Sequence, residues 1–264
     1  MKTTLAILSL LLTTAAPLPA NAADDSVDVA LVFAADVSGS MTNAELPTQR
    51  DGFVAAFRNP ALQDAIQSGV HRKIAVAYVE WAGAREQWLV TPWTIISDQS
   101  TAGAFADRLA AAQMAHGSQT SMSAGLLFAA SQFEHLKVQA DRMAIDVSGD
   151  GANNAGPPIG IVRDIVLSRG ITINGLPLGA TPDATSDSEY AHMFEPPEVD
   201  LEDYFNGCVV GGVNSFALPV TGPAELFTAI QRKLALEIAA LPAQVIPASY
   251  YLPDAPPTKC EANW

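Results

Sequence analysis

The apolar positions of this chain fall into two alternating rhythms. Residues 29–35 (VALVFAA) form an unbroken apolar run, the pattern of a strand covered on both faces. Behind it Leu46, Phe53 and Phe57 recur at helical spacing, with Asn43 placed to cap the helix. Residues 73–81 read as a second strand and Gln87–Ile96 as a third. The turn between them, around Gly83, is too short for a crossover, so this pair is predicted to be antiparallel. Helical patterns then cover residues 101–114 and 122–135. Residues 143–147 form another apolar strand, interrupted by Asp146. A helix follows at Ile159–Ser168, with Gly170 suited to its C-terminal end. Residues 171–176 and 215–220 are later strands, and a last helix from about Pro223 carries Phe227, Ile230, Leu234 and Ile238 on one stripe. Alternation of this kind predicts an α/β fold. Its doubly wound, mostly parallel central sheet has one antiparallel edge strand and helices on both faces.

The two ends of the chain do not follow this rhythm. Lys2, a short apolar run over residues 5–12 and the small-x-small sequence Ala20-Asn21-Ala22 give residues 1–22 the form of a signal peptide. The apolar run is about half the ~20 residues that span a bilayer, and no later stretch reaches that length, so no transmembrane helix is expected. No Arg-Arg pair precedes the run and no Cys follows the cleavage site, which argues against twin-arginine export and lipidation. The mature protein is expected to be exported, periplasmic or secreted. Residues 23–241 then form one domain, and the Pro-rich residues 242–264 form a surface tail. Residues 183–203 carry eight carboxylates and read as a solvated insertion between two strands.

Composition narrows the chemistry. Of 264 residues 49% are hydrophobic and 16% charged, enough apolar material for a full core. The net charge is −14, and loss of Lys2 with the leader makes it one unit more negative. That balance disfavours a nucleic-acid partner, which needs clustered Lys and Arg to displace counterions. Cys208 and Cys260 are too few for a zinc cluster. In an oxidising compartment they are positioned to pair and pin the tail.

Candidate chemistry sits where strands end. Asp36-Val37-Ser38-Gly39-Ser40 follows the first strand, at the side of a doubly wound sheet where ligands bind. One carboxylate and two hydroxyls at alternate positions make a hard-oxygen set, suited to Mg²⁺ or to the related hard cations Mn²⁺ and Ca²⁺. Each residue also has a plain structural role as a cap or turn former. Thr120, in Gly117-Ser118-Gln119-Thr120-Ser121, opens a helix, and Asp150 lies in the Gly149-Asp150-Gly151 turn after a buried strand. Three polar elements at the ends of central segments, in this order, are harder to assign to capping jointly than singly.

This combination resembles a von Willebrand factor type A (vWA) domain with its metal-ion-dependent adhesion site, over most of residues 27–240. The resemblance places the cation on Asp36, Ser38, Ser40, Thr120 and Asp150. It implies that the hydroxyls ligate directly, that the aspartates often act through water, and that a partner protein's Asp or Glu carboxylate completes the shell. The sequence is also similar to exported bacterial members of that family with no assigned activity. Two glycines usually precede the threonine in the family, whereas Ser118-Gln119 precede Thr120 here.

Enzyme readings fit the same residues less well. Gly149-Asp150-Gly151-Ala152-Asn153-Asn154 looks like the Mg²⁺-binding block of haloacid-dehalogenase-type phosphohydrolases. Those enzymes carry a second carboxylate where Ser38 stands, and serine cannot serve as the general acid. There is no G-x-S-x-G elbow and no H-E-x-x-H helix, and none of His71, His116, His135 and His192 has a triad context. Trp81, Trp88 and Trp93 are expected to pack under a neighbouring helix, and Glu80 to be a solvated strand end or an outer neighbour of the cation. The expectation is a binding module and not an enzyme, with a purely structural cation as the third reading.

Overall fold

The computed structural model describes residues 26–179, 200–239 and Cys260. The leader, most of the acidic segment and the tail apart from Cys260 lie outside the described residues. The elements are β1 (Ser26–Val27), β2 (Ala30–Asp36), α1 (Glu45–Arg58), α2 (Pro60–Gln67), β3 (Ile74–Trp81), β4 (Gln87–Ile96) and α3 (Gln99–Ala111). They continue with α4 (Met122–Gln132), β5 (Gln139–Ala140), β6 (Met143–Gly149), α5 (Ile159–Ser168), β7 (Ile171–Pro177), α6 (Leu201–Tyr204) and α7 (Pro223–Ile238).

Five strands form the main sheet in the order β4-β3-β2-β6-β7. β2 pairs in parallel with β3 and β6, β6 in parallel with β7, and β3 antiparallel with β4. The short β1 and β5 form a separate parallel pair. The mostly parallel sheet with one antiparallel edge is therefore the architecture the alternating pattern predicts. Every residue of β2 and of β3 is buried, which explains why residues 29–35 read as a continuous apolar stretch.

Side chains leave each strand alternately, and the two faces meet different helices. Leu31, Phe33 and Ala35 point to the layer built by α1, α3 and α7, where Phe33, Phe53, Phe57, Tyr78 and Phe105 stack. Ring centroids there lie 4.5–5.7 Å apart, within the range of favourable aromatic pairs. Val32 and Ala34 point to the opposite layer, with Met122 and Leu126 of α4 and Val162 and Val166 of α5. Cys208 and Cys260 are bonded, with 52 residues of sequence separation. Closing a loop of that size stabilises by at most about 4 kcal/mol through the unfolded chain.

Asp146 acquires a reason in three dimensions. It points from β6 into the α7 layer, where Lys233 Nζ lies 2.7 Å from its Oδ1 and 2.6 Å from Glu237 Oε1. Asn174 of β7 donates to the same Glu237 oxygen at 2.8 Å. All four side chains are buried. Burial and the neighbouring Glu237 push the Asp146 carboxyl up to about 7, against the downward pull of Lys233.

Three local expectations are corrected. Asn43 does not cap α1. Ala44 stands in the capping position instead, and Thr42 and Glu45 exchange bonds: Thr42 N–H donates to Glu45 Oε2 (2.9 Å) and Glu45 N–H to Thr42 Oγ1 (3.2 Å). Residues 215–220 are not a strand but make only isolated bridges, Gly175 with Ala217 and Leu178 with Val220. Helix α2, capped by the Asn59 side chain with Pro60 in its first turn, has no counterpart in the sequence reading.

Candidate metal centre

Asp36 is the last residue of β2, so the central strand delivers a carboxylate to the carboxyl-end edge of the sheet. The chain must turn there. Ser38 N–H donates to Asp36 Oδ1 at 2.7 Å, and Gly39 backs onto the Ser118 carbonyl, where an added Cβ would lie only 2.9 Å from the oxygen. Neighbouring segments are tied in through the backbone. Val37 N–H donates to Trp81 O and Gly117 N–H to Val37 O, both at 2.9 Å.

The five candidate residues come together. Ser38 Oγ and Ser40 Oγ are 3.0 Å apart, Ser40 Oγ donates to Asp150 Oδ1 at 2.6 Å, and Thr120 Oγ1 donates to Ser38 Oγ at 3.3 Å. Thr120 is no helix cap: α4 has Ser121 in the capping position, and the threonine hydroxyl faces the serines. Asp36, Ser38 and Thr120 are buried, Asp150 is half-buried and Ser40 is exposed, so the cluster opens to solvent on one side only.

Electrostatically the cluster is incomplete as a set of protein groups. Asp36 Oδ2 is buried and finds no hydrogen-bond partner. Burial, then the nearby Asp150, pushes the Asp36 carboxyl up to about 8 despite two bonds from Ser38. Burial also raises Asp150, with Glu45 adding to the rise and the Ser40 hydroxyl opposing it. A hard divalent cation fits these residues. The donors are all oxygen, an orphaned carboxylate oxygen is available, and the hydroxyl spacings approximate the ~3.0 Å between adjacent ligands of an octahedral shell of ~2.1 Å radius.

Sequence reasoning missed the residues that hold the cluster in place. Gln49, on the buried face of α1, donates to Asp36 O at 2.9 Å and accepts from Ser148 Oγ at 2.7 Å, joining the ends of β2 and β6. Asn154 Oδ1 accepts from Thr120 N–H at 2.9 Å while its own N–H donates to Thr120 O at 2.8 Å. Asn153 Oδ1 accepts from Ser123 N–H at 3.0 Å. Both asparagines of the phosphohydrolase-like block therefore organise the entry to α4. A polar residue on the apolar stripe of α1 was the one visible signal for Gln49. Glu80 is not solvated, and its hydrogen bonds go to no member of the cation cluster. It is buried, pairs with Arg50 and accepts from Ala115 N–H at 3.0 Å, anchoring the loop that leads to Thr120. Trp81 is buried with its indole N–H on Ala34 O at 3.0 Å, and Trp93 donates to Gln132 O at 2.8 Å.

Comparison with known proteins places the chain. A family model described as "Protein of unknown function (DUF1194)" matches residues 26–242. The chain belongs to this family. No curated protein matches the chain in sequence. Among solved structures, proximal thread matrix protein 1 from the mussel byssus "with zinc occupied MIDAS motif" aligns at TM-score 0.53 and 13% identity, over 82% of this chain and 47% of that one. A von Willebrand factor type A protein from Catenulispora acidiphila aligns at TM-score 0.53 and 15% identity, over 80% and 43%. The SpRpn10 VWA domain aligns at 0.53 and 12%, over 78% and 95%. This DUF1194 protein thus has the vWA fold, and it spans less than half the length of the mussel and Catenulispora proteins. Among the described residues no helix is long and apolar enough to cross a membrane.

Proposed function

We propose that this DUF1194 protein is an exported, divalent-cation-dependent protein-binding module. Asp36, Ser38, Ser40, Thr120 and Asp150 hold one Mg²⁺, and the side of the cluster open at Ser40 admits an Asp or Glu carboxylate from a partner. The observation that carries this reading is the buried, unpartnered Asp36 Oδ2 within a ring of hydroxyls contributed by two loops. The cation supplies an electrophilic seat for the incoming carboxylate. The chain's own part is to fix that seat through Gln49 and Asn154 and to keep water from all but one side. Because the protein is strongly acidic, the partner surface around its anchoring carboxylate is neutral or basic. The mussel structure with a zinc-occupied site on the same fold is in keeping with this reading.

The test uses immobilised peptides carrying one Asp among neutral and basic residues, each matched by its Asn version. Binding is expected with Mg²⁺, with at least tenfold loss on Asp→Asn exchange or on adding EDTA. Two results would count against it: Mg²⁺-dependent cleavage of a phosphate ester lost in Asp36→Asn, or a cation effect on melting temperature with no carboxylate binding at all. Cation affinity is also expected to climb with pH. The cation must displace the proton that Asp36 holds below about pH 8, so calorimetric affinity should increase up to about tenfold per unit from pH 6 to pH 8. A flat profile would show that Asp36 takes no part.

A further inference from the structure

We propose that Asp28, His71 and Asp141 form a second cation site, of the zinc class, at the end of the sheet opposite Asp36. Asp28 precedes β2 and Asp36 ends it. At about 3.3 Å of rise per residue the two carboxylates are roughly 25 Å apart, so the sites share no ligand.

Three separate segments build the second site, and backbone bonds hold them together. Asp28 N–H donates to Lys73 O and Asp141 N–H to Val27 O, each at 3.0 Å, which sets the α2–β3 loop and the β5–β6 turn on either side of Asp28. His71 N–H donates to Asp28 Oδ1 at 2.9 Å, and His71 Nε2 lies 3.2 Å from Asp141 Oδ2. One ligand atom from each of the three residues falls within 4.8 Å of the others. His71 Nε2 and Asp141 Oδ2 already stand near the ~3.3 Å between ligands of a tetrahedral ion of ~2.0 Å radius, and Asp141, more than half exposed, is free to rotate toward it.

The independent observation is on Asp28. The residue is 8% exposed, and its Oδ2 is buried without a hydrogen-bond partner. A buried carboxylate oxygen left unsatisfied is costly. Gly69 backs directly onto this oxygen, and any side chain there would collide with it, so the local chain leaves space for Oδ2 and supplies no donor. The positive charge of Arg142 reaches both Asp28 and Asp141, but its guanidinium donates to the Glu237 and Ile238 carbonyls at the end of α7. Two carboxylates against one arginine leave a net negative charge for the ion. One imidazole with two carboxylates is a nitrogen–oxygen set that takes Zn²⁺ in preference to Mg²⁺, with water in the fourth position.

The test is a Zn²⁺ titration of the intact protein in excess Mg²⁺, using Asp36→Asn as the background so that the first site cannot contribute. One equivalent is expected to bind at micromolar or tighter affinity and to raise the melting temperature. His71→Ala and Asp28→Asn should each weaken binding at least tenfold and abolish the thermal shift, while His116→Ala and His135→Ala change neither. The circular dichroism spectrum of each variant without zinc guards against misfolding, and Asp141→Asn, at a more exposed position, provides a ligand loss that the fold tolerates. Zinc binding unaltered by His71→Ala, or no stoichiometric binding in the Asp36→Asn background, overturns the proposal.

Discussion

An Asp36→Asn variant is expected to bind Mg²⁺ at least a hundredfold more weakly than the parent and, without the cation, to melt at a higher temperature at pH 8. Both effects come from the same side chain. The substituted amide keeps an oxygen to accept from Ser38 N–H but removes the buried negative charge that a cation would neutralise. In the cation-free parent the Asp36 carboxyl sits near 8, far above its unfolded value of 3.8. A raised carboxyl contributes its stability fully below the unfolded value and loses it as pH rises through the folded one. The cation-free parent is therefore weakest at alkaline pH, where the variant carries no such penalty. Mg²⁺ should reverse the order by stabilising only the parent. Calorimetric melts at pH 5 and pH 8, with and without Mg²⁺, check this. A variant less stable than the cation-free parent at pH 8 would sink it.

Lys233→Met should cost about 3–5 kcal/mol at pH 8, the range for breaking a buried ion pair from one side. That is a large part of the roughly 5–15 kcal/mol that holds a typical domain. Asp146 and Glu237 would be left facing each other in the core with Asn174 as their remaining donor. Burial and Glu237 already raise Asp146 to about 7 while Lys233 pulls it down. Without Lys233 it rises further, so the loss should be smaller at pH 5, where the folded variant takes up the proton. Replacing all three charged groups by uncharged residues of similar volume should recover most of the stability. Urea unfolding at the two pH values separates this account from a simple packing defect, which would cost the same at both.

Elements whose pattern is local were legible. Ile159–Ser168 and Gln87–Ile96 stand where periodicity put them, and the completely buried β2 announced itself as an apolar run. The five clustered side chains were legible because each lies at a strand end or helix entry, where a polar residue in an apolar setting is conspicuous. What escaped was set by partners distant in sequence. Asn154 acts on backbone groups, which no residue type advertises, Gln49 showed only as a polar residue on an apolar stripe, and Asp146 made no sense until Lys233 was beside it. Residues 215–220 have the composition of a strand, yet form only single bridges to β7 and to Leu178. Helix α2 is only eight residues long, too short for its periodicity to stand out, and Pro60 opens it.

The ammonium that neutralises Asp146 belongs to the last helix of the fold. During synthesis β6 emerges well before Lys233, and until α7 is complete a carboxylate would have to enter the core with no counter-charge. Burial of Asp146 together with its counter-charge therefore requires the C-terminal helix to be in place.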